Sequence, residues 1–182
     1  FLIPPSGKEN LGMKMISKVL LDTCFLIELA DKNKPCHKTA NEYYNFFNEN
    51  NIDCYLSPIV VSEYWHNNLV EDFPIENFKH LTFNIIDGHH TGQIAKALKN
   101  KKGKVAKGVG KHAIKDDYKL LAQLIVNNEI DCFITKDGDL IKDYASPLKE
   151  FFPALKNVRF ININTQPIES TLKPQKQIKF AE

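Results

Sequence analysis

Short apolar runs alternate with longer amphipathic stretches along most of this chain. Five runs have the length and composition of strands: Val19–Leu21, Asp53–Leu56, Leu81–Ile86, Cys132–Thr135 and Val158–Ile163. Helical spacing fills the intervals between them. Phe25–Ala30 predicts a helical turn, and His37–Asn48 a longer helix carrying Tyr43, Tyr44, Phe46 and Phe47. Ser57 followed by Pro58 marks a helix start, with Ser at the cap and Pro at the first helical position. That helix is expected to run to about Leu69. Thr91–Leu98 places Ile94, Ala95 and Leu98 on one face, and Lys115–Asn128 does the same with Leu120, Leu121, Leu124 and Ile125. Lys99–Gly110 reads as a Gly/Lys loop and Leu140–Tyr144 as a short helix. Strands alternating with helices predict an α/β domain whose mainly parallel sheet carries helices on both faces.

The ends break the pattern. Residues 1–12 hold Pro4, Pro5, Gly7 and Gly12 without periodicity and read as a leader or added stretch; Met13 and Met15 follow. Residues 164–182 are polar, contain Pro167 and Pro174, and read as a flexible tail. The interval 13–163 is then one domain, and 182 residues suffice for a single real core. No apolar run approaches the ~20 residues of a membrane span, so the expected location is the cytoplasm. Cys24, Cys36, Cys54 and Cys132 form no C-x-x-C pair, which predicts free thiols rather than a structural zinc site.

The overall charge of +2 hides an asymmetry. Residues 96–119 hold nine lysines against two aspartates, a local +7 that leaves −5 for the rest. An anionic partner or a solvated lysine loop explains this equally well.

The candidate chemistry lies in acids just beyond strand ends. In a parallel sheet the carboxyl ends share one edge, where ligands bind. Asp22 closes the first strand, Glu63 follows the second on its helix, Asp117 begins the helix before the fourth, and Asp137 ends the fourth. Each has a plainer use: Asp22 as a helix cap, Glu63 as a solvated helix residue, Asp116 or Asp117 as a partner of the helix dipole, Asp139 as the next cap. Together they imply a carboxylate cluster. Two such charges ~4 Å apart repel by roughly 4 kcal/mol at an effective dielectric of 20, so the cluster either holds protons or binds a cation. Oxygen ligands favour Mg²⁺ or Mn²⁺ over zinc.

The succession Val19-Leu-Leu-Asp-Thr23, Ser62-Glu63, Asp117-Tyr-Lys-Leu-Leu-Ala122 and Phe133-Ile-Thr-Lys-Asp137 resembles PIN domains, and among them the VapC-type toxin ribonucleases. The resemblance spans roughly residues 16–163. It implies a Rossmann-like PIN fold, divalent-metal endoribonuclease activity on RNA, frequent dimerisation and an antitoxin partner. It places catalytic acids at Asp22, Glu63, Asp117 and Asp137, metal ligands at Asp22, Asp117, Asp137 and Asp139, and a supporting hydroxyl at Thr135. Lys101, Lys102, Lys104, Lys107 and Lys111 would then neutralise RNA phosphates. Two departures stand out. Cys24 occupies a position where many members carry Asn, which predicts the loss of a polar contact, and the lysine-rich segment before Asp117 is long.

Two rival readings remain. One is a PIN-like module that binds RNA or protein without cutting, for which Cys24 speaks. The other is a phosphohydrolase of the haloacid-dehalogenase type, which needs D-x-D, whereas Asp22 is followed by Thr23 and Cys24. His89 and His90 are adjacent and predict a surface role. Tyr64 and Trp65 flank Glu63, with base stacking or core packing as their alternatives.

Overall fold

The structure is a computed structural model that describes residues 16–66, 74–102 and 115–172. Five strands form one sheet: β1 (Lys18–Leu21), β2 (Asp53–Leu56), β3 (Lys79–His80), β4 (Cys132–Thr135) and β5 (Arg159–Asn162), in the order β3-β2-β1-β4-β5. All four pairings are parallel. The chain winds outward from β1 through β2 to β3, then crosses back to lay β4 on the other side of β1. The strand order therefore reverses between β1 and β4, and their carboxyl ends frame the crevice where such sheets take ligands.

Burial explains the central strands. Every residue of β4 is buried, as are Val19, Leu20 and Leu21 of β1. A strand buried on both faces reads as a continuous apolar run, the mark of a parallel sheet covered on both sides. The helices are α1 (Thr23–Ala30), α2 (His37–Glu49), α3 (Pro58–His66), α4 (Ile85–Lys102), α5 (Asp116–Val126), α6 (Ser146–Leu148) and α7 (Ile168–Thr171). A π-helical segment, Leu140–Ala145, runs directly into α6. One group of contacts joins α1 to α2 and α3, and α2 to α7; another joins α4 to α5 and α6. Tyr43, Phe47, Phe25, Tyr64 and Phe133 are the largest side chains wholly inside.

Three expectations are corrected. The run Leu81–Ile86 is not a strand: pairing stops at His80, and α4 begins at Ile85. Its alternating apolar residues mislead because Ile85 is 91% exposed, while only Leu81 of the run is buried. A reciprocal cap starts the helix instead. Asn84 Oδ1 accepts the Ile86 and Asp87 N–H groups, and Asp87 Oδ2 accepts the Asn84 N–H at 2.7 Å. Second, α4 continues to Lys102, so helix covers the first residues of the expected Gly/Lys loop; residues 103–114 lie outside the described part. Third, residues 164–172 are not a loose tail. Ile168 is buried, and the Tyr43 hydroxyl donates to the Gln166 carbonyl at 2.7 Å. The leader at 1–12 and the segment 173–182 fall outside the described residues. No helix among the described residues is long and apolar enough to cross a membrane.

Candidate functional site

A cleft of about 650 Å³ opens at the carboxyl edge of the sheet. Asp22, Thr23, Cys24 and Ile27 line it from the end of β1 and from α1, Ser62, Glu63 and His66 from α3, Asp116 and Asp117 from α5, and Asp137 from the turn after β4. The four acids expected to share a site, Asp22, Glu63, Asp117 and Asp137, thus line one cleft. They arrive from four separate stretches of chain.

Each side chain is held by its own local structure. Asp22 caps α1: Oδ1 accepts the Thr23 N–H at 2.8 Å. Its Oδ2 accepts the Thr135 hydroxyl at 2.6 Å and the Cys24 thiol at 2.9 Å. Thr135 in turn accepts the Asp137 N–H at 2.8 Å, so one buried hydroxyl joins two of the acids. Asp137 Oδ1 takes the N–H groups of Asp139 and Leu140 at 2.8 and 3.1 Å and caps the π-helical segment. The Thr23 hydroxyl donates to Glu63 Oε2 at 2.5 Å, tying α3 to the start of α1. The loop after β4 is fixed from beneath by an ion pair between Lys136 and buried Glu28, whose Oε2 also accepts the Cys36 N–H at 2.7 Å.

Electrostatics follow from crowding. Burial raises the proton affinity of Asp22, Glu63 and Asp117 above that of ordinary carboxyls. Hydrogen bonds from Cys24, Thr135 and Thr23 oppose the shift at Asp22, and the Asp137 charge adds to it. At Glu63 the Thr23 bond opposes it, while Asp116, Asp22 and Asp117 add. At Asp117 the charges of Asp22 and Asp137 add, and Lys115 opposes. Lys115 itself is drawn aside: its Nζ donates to the Tyr144 hydroxyl at 2.7 Å.

Several placements differ from expectation. Asp116, offered with Asp117 as a partner of the helix dipole, lines the cleft as well while pairing with Lys119 at 2.5 Å. Asp139 is exposed and absent from the cleft lining, and Asp137 rather than Asp139 makes the side-chain cap. Cys24 keeps a polar contact instead of losing one, because its sulfur also accepts the Lys136 N–H at 2.9 Å and lies 3.2 Å from the Thr135 hydroxyl. All four cysteines are free, Cys54 and Cys132 buried and Cys24 and Cys36 half-buried. His89 is exposed, and half-buried His90 meets the Phe152 ring edge-on. Ser62 entered the sequence reading only as part of the Ser62-Glu63 motif, and His66 went unnoticed. The spacing of His66 was the available signal, since a residue three after Glu63 shares its helical face. Lys101 and Lys102 close α4, whereas Lys104, Lys107 and Lys111 lie outside the described residues.

The donor chemistry suits a hard divalent cation: carboxylate oxygens, raised proton affinities and mutual repulsion. Among the described residues, no three of His, Cys, Asp and Glu stand close enough together to hold a metal ion.

No family model matches the sequence, and no curated protein is significantly similar to it. Solved structures are similar in shape. One is VapBC2 of Rickettsia felis bound to a promoter DNA fragment, with 15% identity, a TM-score of 0.50, and coverage of 80% of this chain and 98% of that one. The fold is that of the PIN-domain, VapBC-type proteins. Two further structures give slightly lower scores. DNA-bound VapBC of Salmonella typhimurium shares 18% identity at a TM-score of 0.48, covering 82% of this chain and 99% of that one. VapC20 of Mycobacterium tuberculosis, a toxin that cleaves the sarcin-ricin loop, shares 15% at 0.47, covering 68% and 93%.

Proposed function

We propose that this protein is a divalent-metal-dependent endoribonuclease acting as the toxin of a toxin–antitoxin pair. The observation that carries the reading is the meeting of Asp22, Glu63, Asp117 and Asp137 in one cleft at the switch point of a PIN-type sheet. The VapBC2 complex with a similar fold supplies the antitoxin part of the proposal. Catalysis and protein binding both fit the cytoplasm, and a homodimer is compatible with the reading.

Asp22, Asp117 and Asp137 would hold Mg²⁺ or Mn²⁺, with Glu63 completing the cluster. Such an ion, when bound, polarises the scissile phosphate and lowers the pKa of water. The chain's own part is positioning. Asp22 Oδ2 already takes two side-chain donors, while Oδ1 takes one and retains a lone pair. Asp137 commits Oδ1 to two N–H groups and leaves Oδ2 for a ligand. Thr135 fixes the relative placement of both. Glu63, held by Thr23 and raised in proton affinity, is suited to accept a proton from the attacking water. Lys101, Lys102, Lys104, Lys107 and Lys111 would neutralise the flanking phosphates.

The test is cleavage of a generic RNA by the full chain, titrated with Mg²⁺ and Mn²⁺, beside the Asp22→Asn variant. Metal-dependent cutting that disappears in Asp22→Asn is expected. Undiminished cutting by purified Asp22→Asn would refute the assignment. That no group among the described residues is arranged to hold a metal ion favours a second reading, a module that binds RNA or protein without cutting. RNA binding without cleavage at any metal concentration would decide for it.

A further inference from the structure

Trp65 is the sole tryptophan of the chain, and it is 42% exposed. It stands on α3 between two residues that line the cleft, Glu63 and His66. Helix geometry fixes which way each neighbour faces. At 3.6 residues per turn, Ser62, Glu63 and His66 fall within about 100° of one another, and Val60 and Tyr64 lie on the opposite side. The second pair is buried and anchors α3 to the core. Trp65 projects about 60° from Ser62, on the side away from Glu63. Trp65 does not line the cleft itself; it flanks exposed Ser62 and His66, which do. Tyr64 takes the core position of the two adjacent aromatics, which frees the indole from packing.

We infer that Trp65 is a substrate-binding residue: it stacks one unpaired base of the strand whose phosphate enters the cleft. The inference rests on the nuclease reading and adds a specificity element to it. The cleft's acids recognise only the phosphate, through a cation, and offer no flat apolar surface to a base. An exposed indole beside residues that line the cleft supplies one, and every base has a face that can use it. A base paired within a duplex cannot present that face, so the residue selects unpaired nucleotides.

The test uses the full chain carrying Asp22→Asn, so that a bound strand stays intact, in Mg²⁺. Its one tryptophan is the reporter. A uridine octamer should quench the fluorescence, and a duplex of equal length should do so only at much higher concentration. Trp65→Phe keeps an aromatic face and should bind the octamer, followed by a labelled strand, within about twofold of the parent. Trp65→Leu should weaken binding by roughly 5- to 100-fold, the scale of one base–aromatic stack. Unchanged melting of each variant checks that α3 is intact. In the cleavage-competent background, Trp65→Leu should raise KM and leave kcat nearly unchanged. Equal affinity of Trp65→Leu and its parent for the octamer overturns the inference, as does equal quenching by duplex and single strand. In either case metal-dependent cleavage by the wild type leaves the nuclease reading standing. A wild type that neither binds nor cuts RNA overturns both.

Discussion

At the scale of single residues, Cys24 changes most between sequence and structure. As a letter it replaces Asn and predicts a lost contact. As a side chain it closes a four-membered network with Asp22, Thr135 and the Lys136 N–H. A thiol is both a weak donor and a weak acceptor, so it serves an acid on one side and an amide on the other. Burial and the neighbouring Asp22 charge push its pKa upward, which keeps it a thiol with a hydrogen to donate. Cys24→Ser preserves both functions and should retain stability, metal response and cleavage. Cys24→Ala leaves the Lys136 N–H without its partner. It should cost about 1–3 kcal/mol and weaken the metal-induced rise in melting temperature. Thermal melts of both variants with and without Mg²⁺ check this, and matching behaviour of Ser and Ala would deny the thiol any positioning role. The four acids were legible in the sequence because Asp22, Glu63 and Asp137 follow strand ends and Asp117 opens an amphipathic helix. Cys24 and His66 were not. A residue's partner across the sheet is set by strand order, and strand order is not written in local pattern.

At the scale of elements, the legible parts are those whose burial is one-sided or complete. β1, β2 and β4 could be read almost to the residue, because their apolar runs are the core itself. The start of α4 could not. Gly88 and Gly92 lower helix propensity within it, and Leu81, Phe83 and Ile85 alternate like a strand. The decisive signal was the Asn84–Asp87 pair at capping-box spacing, which overrides a six-residue alternation by satisfying three amide donors at once. The Gln123 side chain adds a tether from α5 by donating to the Thr82 carbonyl at 2.9 Å. Asn84→Ala should therefore cost about 1 kcal/mol of stability and leave RNA cleavage unchanged, since this cap lies outside the cleft lining. Denaturant titration and an activity assay measure the two sides. Lost cleavage with unchanged stability would show that α4 bears on the site in a way its cap does not explain.

At the scale of the whole molecule, the fold carries a stress that a cation would relieve. Asp22, Glu63 and Asp117 all have raised proton affinity, first through burial and then through the charges of neighbouring acids. For an acid whose folded pKa exceeds its unfolded value, the native state binds more protons than the unfolded state across the interval between them. Stability then falls as pH rises through that interval, from the ordinary carboxylate range near ~4 up to the raised folded values. The metal-free protein should accordingly lose melting temperature as pH climbs from about 4 toward neutrality. On the proposed reading, a divalent ion would compete with those protons for the same oxygens and bind the native state selectively. At a concentration near 100 Kd it adds about 2.7 kcal/mol, or on the order of 5–10 °C for a domain of this size. The gain should be smaller at pH 5, where protons compete more strongly for the raised acids, than at pH 8. Asp22→Asn removes one of the competing charges and should flatten both the pH dependence and the metal response. Melting curves at pH 5 and pH 8, with and without Mg²⁺, decide the matter. A metal effect of equal size at both values, or none at pH 8, would mean that the four carboxylates share a cleft without acting as one site.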